Sequence, residues 1–97
     1  MKILIIEDEI RAAQQLQIML KNNYPNFTIL DTLESVEDSV AWLNNNTPPN
    51  LILMDIQLAD GLSFEIYQQV NIEVPVIFTT AYDQYSIKAF KVNSVDY

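Results

Sequence analysis

Residues 51–55 read Leu51-Ile52-Leu53-Met54-Asp55, four apolar residues followed at once by an acid. Apolar side chains on both alternating faces are typical of an interior strand in a parallel sheet that helices cover on both sides. Three similar runs rich in Ile, Leu and Val recur about every 25 residues. They are Lys2–Ile6, Thr28–Leu33 and Pro75–Thr79. This spacing is that of a strand followed by a helix, so an α/β fold is predicted.

Segments with helical spacing of apolar residues follow each of these runs. Their apolar positions are Ala12, Ala13, Leu16, Met19 and Leu20; Val36, Val40 and Leu43; Leu62, Ile66 and Val70; and Ile87 and Phe90. Helix starts are predicted at Ser35, which forms a capping-box pattern with Asp38, and at the N-caps Ser63 and Asp83. Asn93 is predicted to close the fourth helix.

The repeat predicts a doubly wound parallel sheet. We expect the flavodoxin-like strand order 2-1-3-4, one of two common solutions. Because crossovers are right-handed, helix 1 covers one face and helices 2, 3 and 4 cover the other. In this order the binding crevice lies where the first and third strands end.

The composition excludes several kinds of site. The chain has no Cys and no His, which rules out thiolate zinc sites and catalysis by a serine–histidine or cysteine–histidine pair. A single glycine, Gly61, rules out the dinucleotide fingerprint and the Walker loop. The net charge of −8 predicts no binding to nucleic acid or to anionic membrane. The first apolar run, Ile3 to Ile6, is too short for a secretory or membrane segment, so a cytoplasmic location is expected.

Acidic residues stand at the ends of two predicted strands. The first strand runs into Glu7, Asp8 and Glu9, and the third runs into Asp55. Singly, each suits a helix N-terminus or a turn. Together in one crevice they repel one another unless a cation neutralises them, and the five basic residues are not placed to do so. Oxygen ligands with room for water and phosphate favour Mg²⁺.

This arrangement also predicts phosphoryl chemistry. A carboxylate beside Mg²⁺ at the mouth of a crevice is a competent nucleophile toward phosphorus, provided that something steadies the equatorial oxygens. Hydroxyl groups in Thr79-Thr80-Ala81, after the fourth run, can do this.

These residues resemble the receiver domain of two-component response regulators over nearly the whole chain. The motifs that carry the resemblance are Ile5-Ile6-Glu7-Asp8-Glu9, Leu53-Met54-Asp55-Ile56-Gln57-Leu58 with Asp60-Gly61, Thr79-Thr80-Ala81, and Ser94-Val95-Asp96-Tyr97 as the start of the family's fifth strand. The resemblance implies that Asp55 is the phosphoryl acceptor and Asp8 a direct Mg²⁺ ligand. Glu7 would act on the metal largely through water, and Gln57 through its backbone carbonyl.

The resemblance also assigns roles near the C-terminal end. Thr80 would bind a phosphoryl oxygen, and Tyr97 would be the switch aromatic. An equal alternative for Tyr97 is an edge aromatic residue that packs on helix 4. The family's phosphate-pairing lysine lies beyond the switch aromatic, and Lys88 and Lys91 are not expected to replace it. We therefore expect a receiver domain over residues 1–97 that lacks the rest of strand 5 and helix 5.

Partners follow from the same resemblance. A sensor histidine kinase would donate the phosphoryl group, and the chain would catalyse only its own phosphorylation and dephosphorylation. The stretch Tyr82-Asp83-Gln84-Tyr85, with Ala89-Phe90 and Asp96-Tyr97, resembles receivers joined to LytTR-type DNA-binding domains. A C-terminal DNA-binding domain is thus expected in the parent protein.

The expected truncation has a structural consequence. It would leave one sheet face under-covered and the edge of the fourth strand unpaired, so self-association as a homodimer is expected.

Three alternative functions differ from a phosphoacceptor receiver in the features that they require. A phosphatase of the haloacid dehalogenase type would have a second Asp where Gln57 stands. A flavodoxin-like FMN carrier would have a loop rich in hydroxyl groups and glycine in place of residues 7–9. The remaining alternative is a pseudo-receiver that acts as a phosphorylation-independent interaction module.

Overall fold

The computed structural model describes residues 1–79 and the strand Ser94–Asp96. Strands and helices alternate as the sequence repeat predicts. They are, in chain order, β1 (Lys2–Ile6), α1 (Ile10–Asn23), β2 (Thr28–Leu33), α2 (Val36–Asn45), β3 (Leu51–Met54), β4 (Gln57–Leu58), β5 (Gly61–Leu62), α3 (Phe64–Gln69), β6 (Val76–Phe78) and β7 (Ser94–Asp96). The predicted fourth helix, with Asp83 and Asn93 at its ends, lies outside the described residues.

The main sheet has five parallel strands in the order β2-β1-β3-β6-β7. This is the flavodoxin-like order, and it confirms the predicted α/β fold class. At the carboxyl edge of the sheet, Ile6 is in register with Leu33 on one side and with Met54 on the other, and Met54 is in register with Phe78. The residues that follow this rung are therefore brought side by side.

The prediction that the fourth strand of the main sheet, β6, has an unpaired edge is wrong. Ser94 pairs with Val76, and Asp96 pairs with Ile77, so β6 is an interior strand. Two rungs of parallel pairing need only three residues on the partner strand, and Ser94–Asp96 supplies them. Self-association through the edge of β6 is therefore not supported.

Alternating side chains of β1 point to two separate cores, as the right-handed crossovers predict. Leu4 and Ile6 belong to the larger cluster, in which α2 and α3 pack against the sheet. Ile3 and Ile5 belong to a smaller cluster, against which α1 packs. On the α1 side, an apolar cavity of about 540 Å³ lies between the helix and the sheet, lined in part by Leu53.

The loop after β3 differs from the prediction. Leu62 is not the first apolar residue of a helix but part of β5, which pairs antiparallel with β4. Gly61 has φ of +150°, a backbone conformation that residues other than glycine rarely adopt. This conformation allows β5 to fold back against β4. The helix begins only at Phe64.

Helix start signals are confirmed in part. Ser35 is the N-cap of α2, and its hydroxyl accepts a hydrogen bond from the Asp38 backbone N–H at 3.0 Å. Ser63 is the N-cap of α3 but makes no capping bond with its side chain. Over the described residues, no helix has the length and apolar character needed to cross a membrane.

Candidate metal centre

The carboxyl edge of the sheet places three residues in line. Glu7, Asp55 and Thr79 each follow the last residue of a parallel strand, and each backbone N–H extends the ladder by one hydrogen bond. These bonds run from Glu7 N to Leu33 O (2.8 Å), from Asp55 N to Ile6 O (2.8 Å) and from Thr79 N to Met54 O (3.0 Å). The backbone under the two acids is thus held by the sheet itself.

Three carboxylates meet at this edge, as the sequence predicts. Glu7, Asp8 and Asp55 each contribute one carboxylate oxygen, and these oxygens all lie within 4.8 Å of one another. Glu7 is only 4% exposed, while Asp8 and Asp55 are partly buried. A cluster of hard oxygen donors at this separation can hold a metal ion.

One oxygen of Asp55 lacks a partner within the described part of the chain. Its Oδ1 atom is shielded from solvent and accepts no hydrogen bond there. A buried carboxylate oxygen normally accepts hydrogen bonds or binds a cation, because desolvation without compensation is costly. The residues present therefore fit a bound divalent cation.

The electrostatics of Glu7 lead to the same conclusion. Burial in the first place, together with hydrogen bonding to the Asp55 side chain and repulsion by Asp55 and Asp8, raises the pKa of Glu7 to about 7. The backbone N–H of Glu9 donates to Glu7 Oε2 at 3.2 Å and opposes this shift. The neighbouring charges that act on Glu7 are thus both negative, and a cation would relieve their repulsion.

The other predicted site residues have different outcomes. Gln57 lies in β4, two residues beyond Asp55, with an exposed side chain. Glu9 is the exposed N-cap of α1 and is not part of the carboxylate cluster. Thr80 and Tyr97 lie outside the described residues, so their assigned roles stay predictions.

Asp60 belongs to the Asp60-Gly61 part of the receiver-like motif, and in the structure its side chain contacts the start of α2. Its Oδ1 accepts a hydrogen bond from Val36 N at 2.6 Å, and its Oδ2 accepts one from Glu37 N at 3.1 Å. Burial alone would raise the pKa of Asp60, but these backbone donors hold it below its usual value. An Asp before a Gly is an ordinary turn signal, so no local pattern could have indicated this link to α2.

Comparison with known proteins identifies relatives along the whole chain. A family model described as the response regulator receiver domain matches residues 3–97. The sensory transduction protein LytT of Bacillus anthracis is 34% identical over 100 residues, which cover 100% of this chain and 40% of LytT. The transcriptional regulatory protein LytR of Staphylococcus aureus (strain N315) is also 34% identical, with the same coverage. The chain thus spans about 40% of the length of these curated relatives.

A solved structure agrees with the sheet order. The N-terminal domain of a response regulator/sensory box/GGDEF 3-domain protein from Carboxydothermus hydrogenoformans superposes with a TM-score of 0.77 at 28% identity, covering 100% of this chain and 79% of that one. The matched family, the shared fold and the carboxylate cluster lead to one conclusion. The chain belongs to the response regulator receiver domain family and is the receiver domain of a two-component response regulator.

Proposed function

We propose that Asp55 of this domain accepts a phosphoryl group from a sensor histidine kinase in a reaction that depends on Mg²⁺. The observation that carries the proposal is the convergence of Glu7, Asp8 and Asp55, with one Asp55 oxygen buried and without a partner among the described residues. A carboxylate nucleophile beside a site for a divalent cation is an arrangement that supports phosphoryl transfer to that carboxylate.

Four residues would hold the metal. Asp8 and Asp55 would bind Mg²⁺ directly, Glu7 would bind largely through water, and Gln57 would contribute its backbone carbonyl. When bound, Mg²⁺ would neutralise charge on the phosphoryl oxygens and on the acids around them.

The residues of the chain would perform the transfer itself. A carboxylate oxygen of Asp55 would attack phosphorus, and the bond from phosphorus to the donor nitrogen would break, leaving the electron pair on the kinase histidine. Parallel-sheet hydrogen bonding fixes the Asp55 backbone during this step. Thr80 would bind a phosphoryl oxygen, and Tyr97 would respond as the switch aromatic.

The wider role of the protein is part of the proposal. A relative named as a transcriptional regulatory protein, of which this chain matches 40%, supports an attached DNA-binding output domain in the parent protein. The domain would act in the cytoplasm and catalyse only its own phosphorylation and dephosphorylation.

The proposal is tested on the full-length protein with acetyl phosphate as donor. Intact mass should rise by one phosphoryl group, about 80 Da, only when Mg²⁺ is present, and hydroxylamine should remove the group because it is an acyl phosphate. D55N and D8N should show no increase. The matched control is D31N, which removes the same charge from an exposed position on β2 and should behave as wild type.

An unmodified wild-type protein that still binds its kinase would instead indicate a phosphorylation-independent interaction module. A modification that survives hydroxylamine would indicate a hydroxyl acceptor.

A further inference from the structure

The loop that follows Asp55 is attached to the start of α2. Both carboxylate oxygens of Asp60 accept hydrogen bonds from α2 backbone N–H groups, those of Val36 and Glu37. The backbone N–H of Ala59 also donates to Glu34 O at 3.3 Å. Of these two neighbouring residues in the β4–β5 turn, Asp60 thus contacts the first turn of α2, and Ala59 contacts the residue just before the N-cap of that helix, more than 20 residues earlier in the chain.

This contact completes the capping of α2. Helix N-termini leave backbone N–H groups without partners, and a single N-cap residue satisfies only part of them. Here Ser35 Oγ accepts the Asp38 N–H at 3.0 Å, while Asp60 accepts the other two N–H groups of the turn. The negative charge of Asp60 also suits the helix dipole. The first turn of α2 and the β4–β5 hairpin therefore stabilise each other.

The same hairpin is anchored on its other side. The backbone N–H of Leu62 donates to Glu65 Oε2 at 3.1 Å, and the N–H of Ser63 donates to Ile56 O at 2.8 Å. Ile56 and Leu58 are buried in the larger core. The backbone of Gln57, between these two buried residues, is thus held from both sides of the loop.

We infer that Asp60 is a positioning residue for the carboxylate centre. By capping α2 it fixes the hairpin that begins two residues after Asp55, and with it the Gln57 backbone. This inference rests on the proposed function, since the positioned group is a proposed metal ligand. Asp60 itself is not part of the cluster formed by Glu7, Asp8 and Asp55.

The test compares three variants of the full-length protein. Asp60→Ala removes both acceptors, and Asp60→Asn keeps one of them. Asp38→Asn is the matched control, because it removes one negative charge from the first turn of α2, which Asp60 caps, while the backbone N–H of residue 38 still donates to Ser35. The measurements are the dissociation constant for Mg²⁺ by calorimetry and the rate of phosphorylation by acetyl phosphate, both at a temperature where every variant is folded by circular dichroism.

We expect D60A to weaken Mg²⁺ binding about tenfold, in the range found for residues that orient metal ligands, with D60N intermediate. D38N should stay within about twofold of wild type. If D60A does not fold, the D60N affinity decides the question.

Unchanged Mg²⁺ affinity in D60A or D60N, with only a lower melting temperature, would overturn the positioning role and leave a helix cap. If wild type itself binds no Mg²⁺, the proposed metal site fails and the positioning role fails with it. The two failures are therefore distinguishable.

Discussion

Glu7 is buried beside Asp8 and Asp55, and its pKa of about 7 lies above the ordinary value of 4.5. Because the folded protein then binds more protons than the unfolded chain between pH 4.5 and 7, the contribution of Glu7 to the free energy of unfolding falls as pH rises through this window. That contribution is fully present below pH 4.5 and lost above pH 7. The total change is at most about 3 kcal/mol.

This dependence is measurable by urea unfolding of the metal-free protein at several pH values. E7Q stays uncharged throughout, so its stability relative to wild type should increase from pH 4.5 to pH 8. E9Q changes an exposed acid next to the site and should follow wild type. Parallel pH profiles for wild type and E7Q would contradict the raised pKa.

The sequence could predict which residues form the cluster, because parallel strands end at one edge and Glu7, Asp8 and Asp55 follow two of them. It could not predict how strongly Glu7 is buried, since this depends on packing around the whole edge. The sequence also could not predict the role of Asp60, because its partners Val36 and Glu37 lie more than 20 residues earlier, with the rest of α2 and the strands β3 and β4 in between.

At the scale of elements, Gly61 fixes the shape of the loop after β3. A Cβ added at this position would meet the Glu65 carboxylate, and φ of +150° is strained for any other residue. G61A should therefore lower the free energy of unfolding by about 1–3 kcal/mol. Part of this loss comes from the clash between the new Cβ and the Glu65 carboxylate. G61A should therefore lower the free energy of unfolding by less in an E65A background, and a double-mutant cycle measured by thermal unfolding tests this.

An equal cost of G61A in both backgrounds would contradict a role for the Glu65 contact. The loop also shows the limit of periodicity in this chain. Leu62, Ile66 and Val70 have the spacing of one helical stripe, yet Leu62 belongs to β5 because Gly61 permits a reversal just before it. The Ser35 and Asp38 pattern, in contrast, predicts a local bond and was confirmed.

At the scale of the molecule, the two faces of the sheet are packed unequally over the described residues. Ile52 is fully buried in the larger cluster beneath α2 and α3, whereas Leu53 lies on the α1 face and lines the apolar cavity of about 540 Å³, which is open to solvent. A side chain that lines an open cavity has fewer packing partners on that side, so it loses fewer contacts when it is shortened. I52A should cost about 3–4 kcal/mol of unfolding free energy, and L53A about 1 kcal/mol less.

Denaturant unfolding of the two alanine variants measures this difference directly. Equal losses would show that the α1 face is as well packed as the other. The strand repeat predicted the alternation of strands and helices, and the handedness of crossovers predicted the face that each helix covers. The strand order itself was expected only as one of two common solutions, because spacing does not determine it. The start of a fifth strand at Ser94–Asp96 was expected from the resemblance, but its pairing with β6 was not, because the truncation was expected to leave that edge unpaired.

The proposed role of Asp55 as phosphoryl acceptor has a direct chemical test. Borohydride reduction of the phosphorylated full-length protein converts an aspartyl phosphate to homoserine, which peptide mass spectrometry can locate. We expect one Mg²⁺-dependent conversion, at position 55, and none in D55N. Conversion at another acid, or phosphate retained on a hydroxyl group such as that of Thr79, would contradict it.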